Sequence, residues 1–388
     1  MAEGTQFLST TVAGILDTQI SPSSIFEEDW SSEVLLLDTT EFPFTAFSRN
    51  IKKQEATELK FNWGKDKFRR IRDQINLAAG YAAGSVSVVV DNGGAWEAGA
   101  QMVLERTGQL VCYVTAVTTN TLTTSATTVR LENNDWVRII APAHQDGSTI
   151  SEIKTTTIET PYNYCELTRT ALGETEGMTN SKKRMGITID KQRAKSLMEH
   201  QIDKEQKNLF GTRYYDNSTI FTTDTHARYY TGGLIPNIET HIVDIGGKLL
   251  TNTAWMDFME ESFDTGSSEK MLLASGALMK VLYGFGWAKT EAPPLNETWG
   301  VRCTRWVFGS YALNVVRHKL LTGNYYGYFG IVVDPTNIAE RIFAGYDTRL
   351  KKAILANNEL ATKEEFISWH GLQWGIEENH AYIFNFAG

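Results

Sequence analysis

Two hydrophobic periods alternate along this chain, and the helical one is clearest between Lys182 and Gly211. There Ile187, Ala194, Leu197, Met198, Ile202 and Leu209 recur at 3.6-residue spacing and predict one long helix with an apolar stripe. Lys191, Lys195, Glu199, Asp203, Glu205 and Lys207 fill the remaining surface, with Lys195 a turn before Glu199 and Asp203 a turn before Lys207. Gly211 stands where a left-handed C-terminal residue is expected. Such a helix is a spine for sheets on either side.

Ahead of it, residues 1–22 read as a polar extended arm, and a capping box at Ser24–Glu27 predicts a short helix over 25–36. Pro43 then forces an extended turn. Thr57–Phe68 alternates in strand fashion, with Leu59, Phe61 and Trp63 on one side. The charges around it, Lys60, Lys65, Asp66, Lys67, Arg69, Arg70, Arg72 and Asp73, fit a charged β-arm, either simply solvated or meeting a neighbouring subunit. Residues 79–148 predict six short strands, at Ser85–Val90, Gln101–Arg106, Gln109–Thr118, Thr121–Thr124, Thr127–Leu131 and Trp136–Ile140. With no good helix among them, they read as a small β-barrel or sandwich. Strand-like sequence resumes over Ser151–Thr170, so this unit is inserted between the arm's outgoing and returning strands.

ALGETEGMTN (171–180) reads as a flexible approach to the helix, and Arg228–Ile238 as a Gly-Gly-Leu turn after it. Helices follow at Ala254–Phe263 and Gly276–Tyr283, flanking a buried strand at Lys270–Ala274. Arg302–Phe308 and Tyr311–Arg317 pair around Gly309-Ser310. Strands return at Gly327–Val333, Ala339–Phe343, Lys352–Ala356 and Glu365–Phe386, the last bent at Gly371 and Gly375. The fold class is α+β.

Composition narrows the function. With 42% hydrophobic and 11% aromatic residues among 388, the chain can build real cores. A net charge of −9 without basic blocks argues against gripping nucleic acid. The three cysteines, Cys112, Cys165 and Cys303, are far apart and form no metal or disulfide pattern. The N-terminus is no signal peptide, and no apolar run approaches a membrane span.

Catalytic motifs are missing: no phosphate loop, no GxSxG elbow, no HExxH. The seven histidines are scattered, with His200 read as a solvated helix residue and His370 and His380 as structural. Asp190, Glu199, Asp203 and Glu205 alternate with Lys and Arg, the pattern of a salt-bridged face rather than an acid–base pair. No cofactor and no metal are expected. A surface glycan- or receptor-binding module is the competing class, with Trp96, Tyr113 and Trp136 as a sugar platform, although their strand spacing favours a small core instead.

The order of parts resembles the major capsid protein of tailed bacteriophages, the Hong Kong 97-type capsid fold. ELKFNWGKDKF (58–68) resembles the opening of that family's extended loop, and PYNYCELTRTALGETEGMTN (161–180) its approach to the helix. MGITIDKQRAKSLMEHQIDKEQKNLFG (185–211) is similar to the spine helix itself, TGGLIPNI (231–238) to the turn after it, and GLQWGIEENHAYIFNF (371–386) to the final strand pair.

The resemblance implies an N-terminal arm (1–50), an extended loop (51–78 and 149–180) and an inserted β domain (79–148). It further implies a peripheral domain with the spine helix (181–235 and 330–388) and an axial domain (236–329). Identical copies would form pentamers and hexamers of an icosahedral head around double-stranded DNA, held without specific binding and with no membrane. The implied contact residues are Lys60, Lys65, Asp66, Lys67, Arg69, Arg70, Arg72 and Asp73 of the loop, with Glu199, Asp203 and Glu205 of the helix. With a short N-terminal region, no cleaved helical scaffolding segment is expected; a separate scaffolding protein, a portal and a decoration protein are the implied partners. The family's founding member crosslinks a loop Lys to an Asn; Lys60, Lys65 and Lys67 lie in the matching loop, but no crosslink is inferred. Assembly in the host cytoplasm follows from the same resemblance.

Overall fold

Where apolar residues alternate with polar ones the chain forms strands, which this computed structural model describes for residues 52–387, apart from 67–70, 145, 147–155, 182–187, 218, 222–224, 286–295, 299–300, 309, 353 and 355–360. The expected arm, the helix over 25–36 and the Pro43 turn lie outside the described residues. The chain divides into two compact units, Asn62–Pro161 and the pair of segments Met1–Phe61 with Tyr162–Gly388.

Asn62–Pro161 is a six-stranded antiparallel barrel in the order Arg72–Gln74, Trp136–Ile140, Gln101–Leu104, Gln109–Thr118, Thr121–Thr124 and Ser87–Val89. Its ends meet through the Ile75↔Val90 bridge, with Asn76 N donating to Val89 O at 2.9 Å, so the sheet closes on itself. Val88, Trp96, Met102, Leu104, Val111, Val114, Leu122 and Val137 fill the interior. The outgoing and returning chains are antiparallel at the barrel's base, where Lys65 and Glu159 exchange both backbone hydrogen bonds at 2.8 Å. Two strands differ from expectation. Arg72–Gln74 supplies a strand where only charge was legible. Thr127–Leu131 contributes a single bridge, Leu131 to Tyr81, since Thr127 N and Thr128 N donate to different segments, to Ser85 O and Val111 O, each at 2.9 Å.

The other unit holds two main sheets, of five and seven strands. One is ordered Lys52–Ala56, Ala339–Phe343, Ala361–Gln373, Glu166–Thr175, with Arg349–Lys351 also on Ala361–Gln373. Residues 171–175 are therefore ladder rather than flexible approach, and Thr175 caps a short helix, Glu176–Asn180. The second sheet has seven strands, in the order Ile242–Asp244, Ala381–Phe384, Phe329–Val333, Glu269–Ala274, Tyr311–Arg317, Val301–Phe308 and Asn296–Thr298. Helices Asn252–Ser262 and Gly276–Gly284 share one core on it, built from Trp255, Phe258, Leu272, Leu278, Leu313 and Ile383. Thr251 and Ser275 cap those helices by accepting from Ala254 N and Leu278 N, each at 3.2 Å. Lys270 is wholly buried beneath them. Its ammonium donates to the carbonyls of Ser262, Thr265 and Asn379 at 2.6, 2.8 and 2.8 Å, and burial pulls its pKa to about 8. The cation thus neutralises a helix C-terminus from inside.

The spine helix runs Ile189–Phe210, starting at the Thr188 cap with Asp190 in its first turn and Lys207 in its last. Gly211 ends it, but not in the left-handed conformation expected of it: φ is −57°. Glycine is needed there because a Cβ would stand 2.5 Å from Lys207 O and 2.7 Å from Thr231 O. Both obstacles are backbone and cannot swing away. Gly211→Ala should therefore destabilise the fold by about 1–3 kcal/mol; an unchanged denaturant midpoint would contradict this close packing.

Candidate subunit interface

The charges of the arm separate into exposed and internally satisfied groups. Lys60 is exposed, its ammonium 4.2 Å from the Tyr162 ring centroid. Lys65 pairs with Glu159 at 3.7 Å, and Asp66 accepts from Thr156 Oγ1 at 2.7 Å. On the barrel wall Glu105 receives both Arg72 and Arg138 at 3.1 Å, leaving one net positive charge. Asp73 is different: it is buried, and its carboxylate accepts from Trp96 Nε1 at 2.9 Å and from Asn92 N at 3.2 Å. A group so engaged holds the barrel together and is not offered to a neighbour. Lys67, Arg69 and Arg70 lie outside the described residues.

Trp136, Ile140, Tyr113 and Leu110 stand exposed on the barrel, since their strands alternate and their buried neighbours Val137, Ile139, Cys112 and Val111 take the interior. The sugar platform considered from the sequence is not assembled, because Trp96 belongs to the core.

The spine helix contradicts its apolar-stripe reading. The residues it buries are Ser196, His200, Lys204, Glu205, Asn208 and Leu209, five of them polar, whereas Ala194 is exposed and Leu197, Met198 and Ile202 are only partly covered. The sheet beneath offers hydroxyls and carboxylates, and polar partners are what its buried groups require. Arg193 forks onto Glu364 with two bonds of 2.6 Å and takes Asp190 with another. His200, expected in solvent, is fully buried, with Nδ1 at 2.9 Å from Thr170 Oγ1 and Nε2 at 2.8 Å from Ser368 Oγ. Lys204 meets Glu340 at 3.0 Å, and Glu205 is fully buried against His318 Nε2 at 2.6 Å. Lys207 goes to Glu166 at 2.7 Å and to Thr168 at 2.9 Å, not to Asp203 as its spacing suggested. Of the helix candidates, Glu199 and Asp203 therefore face outward, with Glu199 3.7 Å from Lys195, while Glu205 is committed inside.

This seam sets the ionisation around it. Burial, with the Lys204 and Lys207 cations, holds His200 down at about 4. Burial also keeps His370 well below its ordinary value, reinforced by Lys204, Lys207 and His200, and neither of its ring nitrogens has a hydrogen-bond partner among the described residues. The Arg193 fork lowers Glu364, and burial raises Asp203.

A surface missed by sequence reading lies at Tyr162, Tyr164, Tyr215 and Tyr229, whose rings form a run with centroid spacings of 5.7, 6.2 and 5.1 Å. The Arg213 guanidinium sits 4.1 Å over Tyr162. The repeated Tyr pairs at 214–215 and 229–230 were the available signal. Among the described residues no group of three or more His, Cys, Asp or Glu side chains could hold a metal ion, and no helix is long and apolar enough to cross a membrane. Burial pushes Cys112 up to about 11 and Cys165 up to about 12, which leaves both thiols unreactive near neutrality.

A family model described as SU10 major capsid protein matches residues 4–387. Among solved structures, the capsid of a native GTA particle aligns with a TM-score of 0.51 and 8% identity over 94% of this chain and 96% of its own. The capsid of an empty GTA particle gives 0.50 and 7% over 96% and 100%. A chain from Mycobacterium phage Bobi aligns at 0.48 and 9% over 94% and 97%. No curated protein matches the sequence. At such identities the two GTA likenesses speak for the fold alone.

The seam has a pH signature. His200 and His370 stay neutral when folded but take up protons near 6.5 when unfolded, so stability should fall as pH drops from 6.5 toward about 4. The depression at His200 alone corresponds to roughly 3 kcal/mol. Glu364, depressed instead, adds its own loss only at lower pH, as it protonates in the fold. Denaturant midpoints measured across this range check the sign; a flat profile above pH about 5 would reject it.

Proposed function

The chain belongs to the SU10 major capsid protein family, and on that ground we propose that it forms pentamers and hexamers of an icosahedral phage head around double-stranded DNA. Its fold is the α+β Hong Kong 97-type capsid fold, and its role is that of a shell-forming structural protein of the virion capsid, which self-assembles. The observation that carries the reading is the family match over nearly the whole chain, 4–387.

In this reading the two segments 51–78 and 149–180 reach over a neighbour, 181–235 with 330–388 form the peripheral domain, and 236–329 surrounds the capsomer axis. The insert 79–148, whose barrel also takes in Arg72–Gln74, reinforces or decorates the outer surface. The contact residues are the exposed charges Lys60, Asp66, Arg72, Glu199 and Asp203, with Lys67, Arg69 and Arg70, while Lys65 is buried against Glu159. Asp73 and Glu205 act inside the subunit, as their burial supports. A separate scaffolding protein, a portal and a decoration protein complete the head, assembled in the host cytoplasm. No catalytic step is assigned to the chain. An acidic subunit suits this role, since a container for DNA should not adhere to it.

Expression of the full chain, followed by size exclusion and negative-stain microscopy, tests the reading. Rings, tubes or closed shells are expected; a stable monomer under crowding and salt, with or without co-expressed partners, would reject it. Arg69→Glu with Arg70→Glu should abolish assembly while leaving the melting temperature unchanged, as checked by calorimetry beside the same microscopy.

A further inference from the structure

The two helices on the seven-stranded sheet present opposite charge to solvent. Asn252–Ser262 contains no Lys or Arg, and Asp257, Glu260, Glu261 and, in the next turn, Asp264 are exposed at the spacing of one helix face. Glu261 meets His241 at 3.2 Å, next to the edge strand Ile242–Asp244. Asp257, Glu260 and Asp264 have no ion-pair partner among the described residues. Carboxylates crowded one turn apart at a helix C-terminus oppose both one another and the helix dipole, so the lone subunit gains nothing from them. Met256 is exposed beside them at 45%.

Gly276–Gly284 contains no Asp or Glu, and exposes Lys280 and Tyr283. Arg317, exposed at the end of Tyr311–Arg317, overlies the start of this helix, its guanidinium 3.6 Å from where a Cβ on Gly276 would stand. Neither Lys280 nor Arg317 has an ion-pair partner among the described residues. One sheet thus carries an acidic patch beside its Ile242–Asp244 edge and a cationic, aromatic patch on Gly276–Gly284, which packs over Phe329–Val333 with Arg317 at its start.

We propose that the acidic face of Asn252–Ser262 on one copy docks against the Lys280–Tyr283–Arg317 face of the next, closing a head-to-tail ring. The inference rests on the shell-forming role and names the contact that makes the ring. A heterologous ring joins two different surfaces of the same chain, so a subunit must carry a complementary pair. Copies of net charge −9 repel overall and need local complementarity to approach. The Met256 thioether facing the Tyr283 ring adds an apolar contact between the charges.

The test uses two full-length variants. One carries Glu260→Lys with Glu261→Lys, the other Lys280→Glu with Arg317→Glu. Each alone should assemble at least about tenfold less than the wild type at low salt, with an unchanged melting temperature. Mixed in equal amounts they should assemble again, because each reversed face finds its complement on the other chain. The alternation permits six-membered rings and excludes five-membered ones. Undiminished assembly of either variant alone, or no recovery in the mixture, would overturn the contact while the shell reading stands. A wild-type chain that never assembles would remove both. Should reversal lower the melting temperature, Glu260→Gln with Glu261→Gln is the milder probe, expected to assemble several-fold less; unchanged assembly there would also overturn the contact.

Discussion

A polar seam under the spine helix is the constraint on which the helix and the five-stranded sheet beneath it depend. Arg193–Glu364, His200 between Thr170 and Ser368, Lys204–Glu340 and Lys207–Glu166 fasten successive turns of one helix to strands far apart in sequence. An apolar helix could slide or rotate on its sheet at modest cost. A row of directional, buried contacts admits one register, because a shift would strand several polar groups at once. Such pairs add little net stability over well-packed hydrocarbon. Their value in a shell subunit is geometric: every copy presents its outer surfaces at the same angles.

The seven-stranded sheet and its helices achieve rigidity by other means. They share a hydrocarbon core, with Gly330 leaving room for Leu278, whose Cδ2 would lie 2.3 Å from a Cβ there. Lys270 then ties the C-terminal turn of one helix to the segment leading into Ala381–Phe384. There the surface charges Asp257, Glu260, Lys280 and Arg317 have no ion-pair partner among the described residues, in contrast to the seam, where Arg193, Lys204, Glu205 and Lys207 are all engaged. That difference separates groups that hold the fold from groups available to a neighbour.

Much of the architecture was legible in the sequence. Period-two alternation located Gln109–Thr118, Thr121–Thr124, Trp136–Ile140 and Ala339–Phe343 to the residue, and the helices after residue 250 within a position or two. The spine helix was legible as a helix but not in its orientation. Counting apolar residues chose Ala194, Leu197, Met198 and Ile202, and no periodicity announces that the facing strands carry Thr168, Thr170, Ser368 and Glu340. Gly211 was noticed for the right position and the wrong reason, close backbone approach being invisible without the third dimension. Of the candidate charges, Asp73 and Glu205 could not be told from their exposed neighbours, since a buried carboxylate and a solvated one are the same letter.

Closure of the inserted sheet through Ile75 and Val90 has a consequence for a molecule that lives among many copies of itself. Every open sheet carries a rim of unpaired amides and carbonyls that can recruit a stranger's strand, and the hazard grows with local concentration. A cylinder has no such rim. The insert can therefore be crowded against its own kind without becoming a seed for fibres, and mutation can remodel its outer wall freely so long as the hoop stays shut.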